Sequence, residues 1–141
     1  MTIIGFNFKE IIVNKNEGVK GKINIKNNVS ITDIKEQDLS LGDNNQSALK
    51  FIFEFESKYD PGLGNIVLRG DLLFMESAVK TKEILDDWKK SKKVPKDVMG
   101  GILNTVLSKC NIEALILSQK VSLPPPIPLP SVKQEEKVEK K

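Results

Sequence analysis

A change of period near Glu76 constrains this chain more than any other feature of its sequence. Before it, apolar residues fall on every second position; from there to about Val121 they recur every third or fourth. A period of two places side chains alternately on the two faces of a strand, whereas a period near 3.6 lines them along one stripe of a helix. Strands followed by helices make an α+β domain, and 141 residues suffice for one hydrophobic core rather than two.

Four strands are expected. In Ile3 to Val13, Ile4, Phe6 and Phe8 share a face opposite Asn7 and Lys9; after Glu10 the apolar positions move to Ile11 and Val13, which predicts a bulge there. Asn14 to Gly18 turns the chain. From Val19 to Ile31, Val19, Ile23, Ile25, Val29 and Ile31 oppose a file of Lys, Asn and Ser, the pattern of an antiparallel sheet with one buried and one wet face. Thr32 to Ser47 is polar, with its turn at Gly42 to Asn45. Leu49, Phe51, Phe53 and Phe55 fall together within Ala48 to Glu56. Asp60-Pro61-Gly62 then leads into Ile66 to Met75, where Ile66, Leu68, Leu72 and Phe74 share the core face. Gly70 leaves a gap in which another backbone or side chain can approach closely.

Ile84, Leu85 and Trp88 place a helix over Thr81 to Lys92, and Pro95 suits the first turn of the next. Val98, Met99, Ile102, Leu103, Val106, Leu107 and Cys110 form the stripe of a helix lying on a sheet. Past Asn111 the apolar residues Ile112, Ala114, Leu115, Ile116 and Leu117 surround the axis, which requires cover on several sides. Ile112, Leu115 and Ile116 are therefore the candidate oligomer interface, with burial inside the monomer as the alternative. The expected division is one domain over residues 1–123, a Pro-rich strap at 124–130 packed on it, and a charged, disordered tail at 131–141.

Composition excludes much chemistry. Histidine is absent, which removes the commonest general base and transition-metal ligand. Cys110 is the single cysteine, so no intrachain disulfide or C-x-x-C pair forms, and its place in an apolar stripe reads as an inert core thiol. Glu54/Glu56 and Asp86/Asp87 read as surface charge; Gly62-x-Gly64 lacks the Lys-Ser/Thr ending of a phosphate loop, and Gly100-Gly101 is expected at a helix–sheet contact. No enzyme, metal or cofactor is expected. Of 22 basic residues only Arg69 is an arginine, a poor basis for reading phosphates or guanine edges, so nucleic-acid binding is a minor alternative. No run nears the ~20 apolar residues of a membrane span, and Met1 to Glu10 does not look like a signal peptide, so membrane insertion is not expected and cytoplasm is the expected location.

Binding remains. Phe51, Phe53 and Phe55, with Leu63, Leu85 and Trp88 at their margin, fit two arrangements: an aromatic core beneath the helices, or a groove for extended apolar segments. They are the candidate client-binding residues.

The order of parts resembles the SecB-like export chaperones: a four-stranded antiparallel sheet, helices on one side, a long last helix, a strap of the form F-P-P-x-x-L-P-P and a short tail. Cys110 to Ile116, continuing through Leu123-Pro124-Pro125 to Leu129-Pro130, is similar to that helix and strap. Tyr59-Asp60-Pro61 with Gly64 and Gly70 is similar to the loop and strand spacing of archaeal and toxin-linked members. The resemblance implies an ATP-independent holdase that binds unfolded or export-bound polypeptides in apolar grooves as a homo-oligomer, dimer or tetramer. A specific protein-adaptor subunit of the same fold is the alternative. The chain is slightly basic where bacterial members are acidic, and Thr81 to Lys93 has no good counterpart, so export targeting does not carry over.

Overall fold

Four strands and two helices follow one another in the order that the change of period predicts. The structure, a computed structural model, describes residues 2–18, 21–37 and 46–128. The strands are β1 (Thr2–Lys15), β2 (Asn24–Gln37), β3 (Gln46–Asp60) and β4 (Gly64–Ser77), and the helices are α1 (Ala78–Ser91) and α2 (Lys96–Lys120). One antiparallel sheet has the order β1-β4-β3-β2, so β3 and β4 are central and β1 and β2 are its edges. The expected strap and tail beyond Pro128 lie outside the described residues, as do Val19 and the Gly42 to Asn45 turn.

Cross-strand register brings the apolar files together. Phe6, Leu72, Phe51 and Ile34 form one row, and Phe8, Gly70, Phe53 and Ile31 the next. Ile11, Leu68, Phe55 and Val29 follow, then Val13, Ile66, Ser57 and Asn27. Both helices lie over this face, and Ile84, Trp88, Val98, Ile102, Val106, Cys110 and Ala114 close the core against it. Gly70 supplies the close approach expected of it. The rings of Phe6 and Phe53 stack at 5.0 Å and Phe8 meets Phe53 edge-on at 6.2 Å across the space its missing side chain leaves.

Of three register shifts, one is expected and two correct the sequence reading. The expected bulge falls between Phe8 and Glu10, but a second between Ile3 and Gly5 moves the phase, so Ile3 rather than Ile4 joins Phe6 on the core side and Ile4 is exposed. A third, between Ile31 and Asp33, lets β2 continue to Gln37 through residues too polar to show alternation, with Ile34 turned inward. Bulges of this kind twist edge strands away from further pairing.

Capping sets the helix limits. Ser77 accepts from the backbone N–H of Lys80 at 3.3 Å and starts α1 three residues before the expected Thr81. Pro95 is the N-cap of α2 rather than part of its first turn, and its carbonyl receives the Met99 N–H. At the other end the Leu123 N–H reaches the Ser118 carbonyl (2.8 Å) and the Ser122 N–H that of Gln119 (3.3 Å), with Ser122 at φ +60°. That pairing is a Schellman motif, with serine where glycine is usual.

Candidate functional site

The six candidate client-binding residues do not make one surface. Phe51, Phe53 and Phe55 are at most 1% exposed and form the core rather than an open groove, because both helices cover their face. Trp88 is buried at the edge of the same core; its indole N–H donates to Asp33 at 3.3 Å, and Lys92 Nζ lies 5.2 Å from its ring. Leu85 is half-buried and lines a cavity of about 400 Å³ with Leu49, Thr81 and Glu36, near the start of β3. Leu63 is half-buried just past the other end of β3. A strand of 15 residues therefore separates the two accessible leucines.

The candidate interface on α2 is uncovered in the single chain. Residues Val98, Ile102, Val106, Cys110, Ala114 and Ser118, each four apart, are the buried row of this helix. Ile112 and Ile116 fall off that row and are 61% and 44% exposed, with half-buried Leu115 between them. The all-round apolar pattern thus has one side packed and one side in solvent.

The strap was expected from the sequence, but the polar residues Asn27 and Ser57 beneath it were not singled out. After α2, Leu123 turns into the core and the chain crosses the sheet near the end of β3. The Tyr59 hydroxyl donates to the Pro124 carbonyl (2.6 Å), and Asn27 Nδ2 donates to the Pro126 carbonyl (2.8 Å). Ser57, fully buried, donates to Asn27 Oδ1 at 2.6 Å. Burial pushes the Tyr59 phenol up to about 12, so it stays a neutral donor over the physiological range. A cavity of about 430 Å³ lies between Ile25 and Pro125–Pro128. The available signal was Asn27, a polar residue in the apolar file Ile25, Val29, Ile31, directly opposite Ser57, which interrupts the Phe file in the same way.

The other face of the sheet carries charge in pairs. Arg69 bridges three strands, bonding Glu10 of β1 at 2.6 Å and Glu54 of β3 at 2.8 Å. Asn65 donates to Glu56 at 3.2 Å and Lys9 lies 3.7 Å from Asp71. Glu54 and Glu56 are thus engaged across strands, as surface charge is. Burial, and then the charge of Glu113, push the Cys110 thiol up to about 12, which removes its nucleophilic thiolate. Among the described residues no His/Cys/Asp/Glu group is placed to hold a metal ion, and no helix is long and apolar enough to cross a membrane.

No family model matches the sequence, and no curated protein matches it. Among solved structures the chain is similar to the Mycobacterium tuberculosis Rv1957 SecB-like chaperone in complex with a ChAD peptide from the Rv1956 HigA1 antitoxin. The TM-score is 0.54 and the identity 9%, over 94% of this chain and 91% of that one. At that identity the likeness is one of architecture: the chain has a SecB-like fold, a four-stranded antiparallel sheet with two helices on one face.

Proposed function

We propose that this protein binds polypeptides without a chemical step, as an ATP-independent holdase for unfolded or precursor chains. The observation that carries the reading is the fold shared with a peptide-bound chaperone, with Leu63 and Leu85 accessible to a client and the apolar side of α2 in solvent at Ile112 and Ile116 for contact between copies. Burying such surface stabilises a complex by ~25 cal/mol per Å² of apolar area and needs neither nucleotide nor catalyst. In this reading Ile112, Leu115 and Ile116 join copies of the chain into a homo-oligomer. Leu63 and Leu85 are the accessible part of the client surface, and Phe51, Phe53, Phe55 and Trp88 support it from within, reachable only when a helix lifts.

The test is light scattering from a heat-denatured client with and without an equal amount of this protein, no nucleotide present. Suppressed scattering is expected; unchanged scattering from a folded sample removes the holdase reading. Capture from its own cell extract separates the adaptor alternative: a mixed set of clients belongs to a chaperone, one stoichiometric partner to an adaptor. Ile112→Lys with Ile116→Lys is expected to lower the mass in light scattering coupled to size exclusion while the far-ultraviolet circular dichroism stays unchanged. An unchanged mass rules out this interface.

A further inference from the structure

We infer that the groove formed by Ile25, Asn27, Ser57 and Tyr59 docks proline-rich extended segments of other polypeptides, and that residues 123–128 occupy it in cis as a resident competitor. The inference rests on the polypeptide-binding reading above and names where a segment is held and of what kind.

Hydrogen-bonding chemistry is matched on the two sides. Pro124, Pro125, Pro126 and Pro128 have no N–H, so the strap presents only carbonyl acceptors at these positions. The groove presents donors to alternate carbonyls, Tyr59 Oη to Pro124 and Asn27 Nδ2 to Pro126. Because Ser57 occupies the Asn27 amide oxygen, the asparagine NH₂ is left aimed at the strap. A residue other than proline at the buried 126 position would bring an N–H into a site that supplies donors, and an unpaired buried N–H is unfavourable. The site therefore reads carbonyls and prefers a backbone stripped of its own donors.

Side-chain spacing agrees. Leu123 and Pro126 are buried while Pro124 and Pro125 between them face solvent, a spacing of three as in polyproline II, and the chain bends at Pro126 and Ile127. Ser57 is fully buried in a file otherwise apolar, a place that a plain core would fill with an aliphatic residue, and the exposed Asn27 stands opposite it on the edge strand. The strap is joined to α2 through Ser122 at φ +60°, a conformation unfavourable for a residue with a Cβ, so the tether itself opposes full occupancy. The cavity beside Pro125–Pro128 leaves room for side chains bulkier than those of the strap. A tethered competitor lowers the apparent affinity for an outside segment by the fraction of time it holds the groove.

The experiment uses the full chain and a fluorescein-labelled peptide with the sequence of residues 122–130, followed by fluorescence anisotropy. Pro126→Asn and Leu123→Ser each weaken the strap and leave the groove residues untouched. Leu123 belongs to the core, so Pro126→Asn carries the comparison if Leu123→Ser does not fold. Peptide binding to Pro126→Asn about ten-fold tighter than to the wild-type chain is expected, and so is its loss when Asn27→Asp replaces the donor with an acceptor. Equal binding by both chains, no binding by either, or indifference to Asn27→Asp overturns the inference. Client scattering is measured on the same samples: suppression without peptide binding refutes this groove and leaves the holdase reading standing, whereas peptide binding without suppression supports the groove and refutes the holdase.

Discussion

Replacing Gly70 by alanine tests the packing that holds the sheet to its helices. An added Cβ would fall on the Asn7 carbonyl oxygen, far inside contact distance, and stand 2.9 Å from Cζ of Phe53. The carbonyl belongs to β1 and cannot yield without carrying the strand with it, so β1 must part from β4 beside the Phe8/Glu10 bulge. Loss of two ladder hydrogen bonds there costs about 2 kcal/mol in all. Separating Phe6 and Phe8 from Phe53 adds roughly 1–2 kcal/mol. Against this, alanine recovers about 0.5–1 kcal/mol of backbone entropy in the unfolded chain, leaving a net loss of about 3 kcal/mol. With a urea slope of ~1–3 kcal/mol per M, the midpoint falls by about 1–3 M, followed by fluorescence of Trp88, the single tryptophan. Gly100→Ala is the control: its site is exposed on α2 with nothing within 4 Å, and a gain of about 0.5–1 kcal/mol is expected. A Gly70→Ala midpoint within 0.3 M of wild type, or an equal loss for Gly100→Ala, refutes the packing argument.

Ser122→Gly relieves a positive φ without touching the hydrogen bonds of the helix end, so denaturation should show a gain of about 0.5–1 kcal/mol; a loss would mean the serine side chain has a role there. Cys110 should resist iodoacetamide at pH 8 in the folded protein and react once urea unfolds it, because burial holds the thiol near 12; prompt labelling without denaturant contradicts its place in the core. For Tyr59 the folded phenol lies near 12 and the unfolded one near 10, so as pH rises the unfolded chain loses the proton first. Its contribution to stability is complete below pH 10 and falls between 10 and 12. Tyr59→Phe should lose about 1 kcal/mol at neutral pH with the Pro124 bond and show a shallower decline in that window; parallel curves would argue against a buried, bonded hydroxyl.

How much of the fold could be read from the sequence depended on whether a residue's partner was periodic. β3 and β4 are covered on one face along their length, so their files of Phe, Leu and Ile alternate cleanly and fixed both strands and their register face. The edges were harder. A bulge inserts one residue and inverts the phase, which hid Ile3 and ended the visible alternation of β2 at Ile31 although pairing runs on to Gln37. Caps act through a single side chain rather than a repeat, so Ser77 left no periodic trace. The aromatic strand shows the limit of composition as a guide to function. Core and groove demand the same residues in the same order, and only the positions of α1 and α2 over Phe51, Phe53 and Phe55 distinguish them.

That limit also says where to look for function in a chain of this kind. An apolar residue in an apolar file is explained by the core it joins, so it carries no information about a partner. A polar residue in the same file needs a bond that the core does not supply, since burying it unpaired is unfavourable. Ser57, fully buried, is such a break; it donates to Asn27 opposite it, an exposed residue of β2 whose NH₂ reaches a carbonyl of the strap. Tyr59, two residues on, ends its aromatic file with a hydroxyl bonded to a second strap carbonyl. Two of these polar groups bond the strap and the third orients one of them, which is the arrangement that docking of a backbone requires. Replacing Asn27 and Ser57 together by leucine and alanine separates recognition from a structural role: a mainly structural pair costs stability, since the Pro126 carbonyl loses its donor, and leaves peptide affinity unchanged, whereas a recognition pair keeps the fold and loses the peptide.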